Sequence, residues 1–351
     1  MMNAMDARPP GQKPLPVVVV GGSAGALEPL RELVAHLPAD FPAALLVVIH
    51  CPPDLPSYLP QILQSAGSLP VSAVQQPAAL ESGHIYVAPP NRHLLVGRDE
   101  VRPSRGPREN RSRPSVDVLF RSAAYTHRAS VIGVLLSGML GDGTSGLWTI
   151  KRLGGQAIVQ HPEEALYPSM PLSALQEVAV DTILPVRDIA GDLLTRLGAP
   201  NFGQGAAEMD EHEWRRLQLE VSIADEGNAF AGGILTGGDP SPFTCPECHG
   251  TMVKIQEGRT LRFRCHTGHA YSAPALLGEL HRAAEANLWT TVRGMEEQVM
   301  LLDHLAKHAA EAGQLHTAEL YRSEAAAVRR RIEPLRRLLW QDGALPVQPV
   351  E

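Results

Sequence analysis

The chain has 351 residues, 44% of them hydrophobic and 20% charged, so it can bury a sizeable core and wholesale disorder is excluded. Its net charge of −7 is uneven: residues 1–200 hold 16 Lys/Arg against 17 Asp/Glu, whereas residues 201–351 hold 15 against 21. Neither part is basic enough for nucleic acid to be the main partner, no apolar run reaches the ~20 residues of a membrane span, and four cysteines are too few and too clustered for a secreted disulfide scaffold.

Residues 1–15 are Pro-rich and polar and are expected to be disordered. The apolar stretch after Lys13 looks like a short signal peptide, but it breaks at Gly21-Gly22 and Asp6 precedes it, so a cytoplasmic protein is expected. From Val17 onward, β-branched runs alternate with helical patterns. Strands are predicted at Val17–Val20, Leu45–Ile49, Val131–Leu136 and Ala157–Gln160, with a strand pair at Ile85–Ala88 and Leu94–Val96. Helices are predicted at Leu27–Leu37, Leu59–Ser65, Val116–Tyr125 (Ser115 near its cap) and Ser145–Leu153. Continuous apolar strands between helices mark an α/β domain, doubly wound around a mainly parallel sheet, over 16–198. Residues 199–242 are loose in composition and read as a linker with a short amphipathic piece around Trp214–Val221. A cysteine-bearing module (243–272) follows. Apolar residues at spacings of three and four, interrupted at Gly313, then predict a helical hairpin over 273–343. Arg329–Arg331 and Arg336-Arg337 read as a basic helix end.

The first strand runs into Gly21-Gly22-Ser23-Ala24-Gly25. A dinucleotide fingerprint needs a second glycine where Ser23 stands and an acid where the second strand ends in His50, so a nucleotide site is not supported. The pentapeptide does match G-x-S-x-G, in which small residues let a serine sit on a sharp strand-to-helix turn. His50 lies at the tip of the next strand, and Asp142 follows another buried strand in Ser137-Gly138-Met139-Leu140-Gly141-Asp142-Gly143. Singly, these residues read as a cap, a core histidine and a turn former. Together at three strand tips they supply a nucleophile, its base and the carboxylate that orients the base. The chain order Ser–His–Asp differs from that of the α/β-hydrolases.

Residues 17 to about 197 resemble the catalytic domain of the chemotaxis protein-glutamate methylesterase family, CheB. The likeness runs through Gly22–Gly25, His50–Pro53, Gly83–Pro89, Asn91–His93, Asn110–Phe120 and Leu136–Gly143. It implies Ser23 as nucleophile, His50 as general base, Asp142 as its orienter, and an oxyanion hole from the backbone N–H groups of Ala24 and Met139. It also implies hydrolysis of glutamate γ-methyl esters on chemoreceptor-like proteins, with deamidation of particular glutamines. Cys51 and Ala24 stand where the family usually has methionine and often threonine. Sixteen residues ahead of the first strand are too few for the receiver domain of the founding members, so control by phosphorylation within this chain is not expected.

Six arginines lie between 98 and 113; Arg111 and Arg113, inside a shared motif, are the candidates for docking an acidic substrate helix. The acidic C-terminal part could instead fold back on this cluster across the linker. In Cys245-x2-Cys248-x16-Cys265-x3-His269 the ligand types and spacing suit a closed structural zinc site, with His266 or His249 as alternatives to His269. No cofactor for catalysis is expected. Two other functions stand beside the esterase: a non-catalytic signalling module on the same fold, and an esterase or amidase for small molecules.

Overall fold

Successive residues of the valine and leucine runs face opposite sides of one sheet, and both sides are covered. Val17, Val19, Leu46 and Val48 pack into one core; Val18, Val20, Leu45 and Val47 pack into another. Each such side chain, fully buried, contributes about 1.5–3 kcal/mol, which is why these runs form central strands. The computed structural model describes residues 14–207 and 209–341, so most of the stretch expected to be disordered lies outside the described residues.

The elements run β1 (Val17–Gly22), α1 (Leu27–Ala35), β2 (Ala44–Ile49), α2 (Leu59–Ala66), β3 (Val71–Ala73), β4 (Ala78–Ala79), β5 (Ile85–Val87), β6 (His93–Val96) and β7 (Glu100–Ser104). Then come α3 (Val116–His127), β8 (Val131–Leu135), α4 (Thr144–Arg152), β9 (Gln156–Gln160), α5 (Ser169–Glu177), β10 (Thr182–Leu184) and α6 (Val186–Leu197). The main sheet is parallel throughout, in the order β10-β9-β8-β1-β2-β5-β3. Helices α1, α2 and α6 pack on one face, and α3, α4 and α5 on the other. This is the doubly wound sheet expected. The predicted strand pair is not formed: β5 joins the main sheet beside β2, while β6 pairs with β7 in a separate antiparallel sheet, β4-β7-β6.

Where a linker was expected, the chain forms α7 (Glu211–Glu226). Asp210 and Glu213 make a reciprocal capping box, and Gly227, at φ +70°, ends the helix. Leu217 and Val221 pack into the core over α3, and Arg102 grips Asp225 with two hydrogen bonds of 2.6 and 2.8 Å. This helix therefore supplies an acid to the arginine stretch. Beyond it lies an antiparallel sheet, β11 (Asp239–Thr244), β12 (Thr251–Glu257), β13 (Thr260–Cys265) and β14 (Ala270–Ser272). This ribbon and the α/β part form one compact unit ending at Leu276, not two independent modules.

Six buried charged side chains tie the ribbon to the α/β part. Arg264 donates to Glu109 (2.5 Å) and Glu220 (2.6 Å), Arg262 to Glu220 (3.0 Å) and Glu257 (2.8 Å), and Arg121 pairs with Glu109. Burial opposes ionisation of Glu109 and Glu220, but the arginines outweigh it and hold both carboxyls low. Three carboxylates meet three guanidiniums, so the charges of these six groups balance.

The expected hairpin is formed by α8 (Ala273–Glu311) and α9 (Leu315–Gln341) about Gly313 at φ +78°, and from Leu277 onward it makes up the second unit. Val292, Val299, Leu302, Val328 and Ile332 form its seam. Arg329 and Arg336, expected at a basic helix end, pair across the seam with Asp303 and Glu296.

Candidate active site

Three adjacent strands end in the residues that the sequence singled out. β1 hands Ser23 to the turn before α1, β2 ends one residue before His50, and the loop after β8 carries Asp142 to α4. The chain fills one half of the sheet (β1, β2, β5, β3) first and the other (β8, β9, β10) afterwards, so the order reverses between β1 and β8. Such a reversal is where open α/β sheets take their ligands. The glycines of the first turn have no room for side chains: a Cβ on Gly21 would meet Val116 at 2.1 Å, and one on Gly22 would meet Ala26 at 2.5 Å.

Ser23 Oγ lies 3.1 Å from His50 Nδ1, and His50 Nε2 lies 2.7 Å from Asp142 Oδ2. The carboxylate can only accept, so Nε2 carries the hydrogen and Nδ1 offers its lone pair to the serine hydroxyl. The two ring nitrogens thus exchange the parts they play in the serine-protease template.

Asp142 is buried and heavily hydrogen-bonded. Besides His50, it accepts from the N–H of Val116 (2.8 Å) and Asp117 (3.2 Å), from Ser115 Oγ (2.9 Å) and from Asn110 Nδ2 (3.1 Å). The first turn of α3 therefore points its free N–H groups at the carboxylate. Burial raises the Asp142 pKa, but the bond and charge of His50, with the Val116 N–H, hold it well below the usual carboxylate range. Its neighbour Asp117 goes the other way, pushed well up by burial and by the Asp142 charge. Asp117 Oδ1 accepts from Gly143 (3.0 Å) and Gly146 (2.7 Å) and so fixes the start of α4.

Asn110, Asp117 and His93 lie in the shared motifs, yet sequence reasoning gave them no part in the site. His93 is fully buried; Nε2 donates to the Pro107 carbonyl (2.9 Å) and Nδ1 accepts the Ser115 N–H (3.2 Å). The signal was a histidine and an asparagine in motifs otherwise explained by turns, with no way to know which backbone groups they would meet.

Ser137 latches the nucleophile turn: its carbonyl accepts the Ser23 N–H (3.0 Å), and its hydroxyl donates to the Ala24 carbonyl (2.9 Å). Gly138 lies against the serine, since a Cβ there would fall 2.9 Å from Ser23 Cβ. That close approach sets the loop carrying Met139 against the nucleophile turn. Burial raises the thiol pKa of Cys51, so this neighbour of His50 is a poor rival nucleophile.

Arg113 donates to Asn91 Oδ1 (2.8 and 3.0 Å) and to the carbonyls of Arg105 (3.0 Å) and Gly106 (2.9 Å), bracing its own loop. Arg111 is exposed, at φ +64°.

In the ribbon, one ligand atom from each of Cys245, Cys248, Cys265 and His269 lies within 4.8 Å of the others; His249 and His266 are outside this group. Cys265 Sγ is 3.6 Å from Cys248 Sγ and 3.7 Å from His269 Nδ1, and Cys245 Sγ is also 3.7 Å from that nitrogen. A tetrahedron with bonds of about 2.0–2.3 Å has edges of this size. The other nitrogen of His269 faces Glu247 at 3.5 Å, the carboxylate partner typical of a metal-bound imidazole. The residues fit a tetrahedral cation.

Residues 18–193 match the model of the CheB methylesterase family. A putative protein-glutamate methylesterase/protein-glutamine glutaminase of Leptospira interrogans is 37% identical over 188 residues, which is 53% of this chain and 97% of that protein. The protein-glutamate methylesterase/protein-glutamine glutaminase of Trichodesmium erythraeum is 34% identical over 52% of this chain, and the match spans about half (53%) of its length. A crystal structure of the Thermotoga maritima CheB methylesterase catalytic domain is 32% identical, with 51% of this chain and 97% of that one covered at a TM-score of 0.49.

Proposed function

Because the chain belongs to the CheB methylesterase family, we propose that Ser23, His50 and Asp142 hydrolyse glutamate γ-methyl esters on a chemoreceptor-like protein. The observation that carries this reading is the unbroken hydrogen-bond chain from Ser23 Oγ through His50 to Asp142. His50 Nδ1 takes the hydroxyl proton as Ser23 Oγ attacks the ester carbonyl, and Asp142 stabilises the imidazolium that forms. The N–H groups of Ala24 and Met139, which donate to no protein acceptor among the described residues, receive the developing oxyanion. Collapse expels methanol, protonated by His50, and leaves an acyl-Ser23. Water then attacks, His50 takes its proton, and the glutamate carboxylate departs from a regenerated serine. A glutamine side chain would follow the same course with ammonia as leaving group.

Arg111 is the candidate for docking an acidic substrate surface, Arg113 serving it by holding the loop. Cys245, Cys248, Cys265 and His269 would hold a structural zinc, closed on four protein ligands and without a part in the chemistry. The non-catalytic alternative gains no support from a site whose hydrogen bonds are complete.

Methanol release from a methylated receptor fragment, set beside a panel of small esters, tests the reading. The wild-type chain should prefer the fragment, and Ser23→Ala should release none while keeping its fold. Turnover by a folded Ser23→Ala protein would remove the nucleophile assignment; preference for small esters would move the substrate.

A further inference from the structure

We propose that the metal-holding ribbon is a working part of the esterase site, positioning Asp142 through Asn110 so that metal occupancy governs turnover. The inference rests on the esterase reading and names a control of that same site.

The side chain of Asn110 stands between the two. Its Nδ2 donates to Asp142 Oδ1 (3.1 Å) and Asp117 Oδ2 (3.2 Å), and its Oδ1 accepts the N–H of Ser272 (2.8 Å). Its backbone N–H donates to the Ala270 carbonyl (2.8 Å), and the Ala270 N–H returns to the Arg108 carbonyl (3.2 Å). Strand β14 thus holds Asn110 by main chain and side chain at once. Asn110 itself sits at φ +49°, in the left-handed region that asparagine tolerates better than most residues. The residue before β14 is His269, and the Cys265–His269 turn is closed by Cys265 N–H to His269 O (2.9 Å) and Gly268 N–H to Cys265 O (2.9 Å). A metal bonded to Cys265 and His269 fixes the two ends of that turn and with them the start of β14.

A second connection reaches the neighbours of that carboxylate. Arg264, next to Cys265, donates to the Gly268 carbonyl (2.5 Å) inside the metal turn and to Glu109, next to Asn110. Glu257 of the ribbon accepts from Ser145 Oγ (2.5 Å) in the first turn of α4, which Asp142 and Gly143 lead into. Helix α3, through Arg121 and Glu109, and the first turn of α4, through Ser145 and Glu257, are both tied to the ribbon by buried groups. Without metal, the turn before β14 loses its cross-link, Asn110 loses its two fixed partners, and Asp142 is no longer held in line with His50 Nε2.

The test uses the full-length protein, with zinc content, methanol release and the proton resonance of His50 Nε2–H read together. Asn110→Ala with its zinc retained should lower kcat by about 10²-fold, the cost of a misplaced group near the chemistry, with KM little changed and the resonance shifted. Stripping zinc from the wild type with a chelator should do the same, and zinc added back should restore both. Wild-type kcat and an unshifted resonance in zinc-loaded Asn110→Ala, or in the stripped protein, would overturn the proposal. A wild type that releases no methanol would overturn the esterase reading instead, and the resonance would still decide whether the ribbon holds the triad.

Discussion

Helix α3 carries two buried anionic sites that are built in opposite ways. At its N-terminus, Asp142 is surrounded by neutral donors: two backbone N–H groups, a hydroxyl and an amide. Along its flank, Glu109 and Glu220 are met by the guanidiniums of Arg121, Arg262 and Arg264. Neutral donors hold a carboxylate in place without cancelling its charge, so Asp142 can still stabilise an imidazolium on His50. Guanidiniums cancel the charge and leave nothing for chemistry. One site is built to act on a neighbour, and the other to join two layers of the molecule.

The largest effect separating them should be on turnover. Asp142→Asn removes the charge and puts an N–H2 where donors converge, so His50 loses the tautomer that presents Nδ1 to Ser23. The equivalent change in the serine-protease template costs about 10⁴-fold, or about 5 kcal/mol of barrier. Steady-state methanol release measures it; a loss below about tenfold would place Asp142 on the structural side of the comparison.

At the guanidinium site the effect should fall on stability. Glu220→Gln leaves Arg262 and Arg264 with one carboxylate fewer, and breaking a buried pair costs about 3–5 kcal/mol. Denaturant unfolding should show that loss, with turnover of the folded protein far less affected than by Asp142→Asn. Adding Arg264→Met restores the balance of charges and should recover part of the stability, since removing both members of a pair is cheaper than removing one. A double variant less stable than Glu220→Gln by the full cost of a second broken pair would show that the cluster is not held by charge balance.

How far each site was legible follows from the same contrast. Ser23, His50 and Asp142 stand at strand tips, and strand tips can be found from apolar runs and glycine turns. The Cys and His spacing of the ribbon is local and equally readable. The guanidinium site is not local. Glu109 and Arg121 come from one stretch, Glu220 from a second, and Arg262 and Arg264 from a third. Nothing in a loose Gly/Ala/Glu composition says that α7 will bury Glu220 at 1% exposure. The capping box Asp210–Glu213 and Gly227 did mark the helix, and a search for helix ends inside the supposed linker would have found it. The β5/β6 pairing failed because adjacent apolar runs suggest a hairpin, whereas β5 completes the parallel sheet beside β2.

The smallest effect should be a pH-dependent one, at the support behind Asp142. His93 is fully buried with both ring nitrogens engaged, and burial lowers its pKa from 6.5 to about 4 although the Pro107 carbonyl favours the charged form. Between those two values the unfolded chain binds a proton at His93 that the folded chain refuses. Stability from this group is therefore complete above pH 6.5 and is lost as pH falls toward 4. The gap is worth about 3 kcal/mol. A protonated His93 could no longer accept the Ser115 N–H, which would disturb the residue that donates to Asp142. His93→Asn keeps a donor and an acceptor without the titration, so its unfolding free energy should fall less than that of the wild type between about pH 7.5 and about pH 4.5. Parallel losses in the two proteins would mean that carboxylates elsewhere govern the acid response, and that the neutral donors around Asp142 stand without help from a neutral histidine.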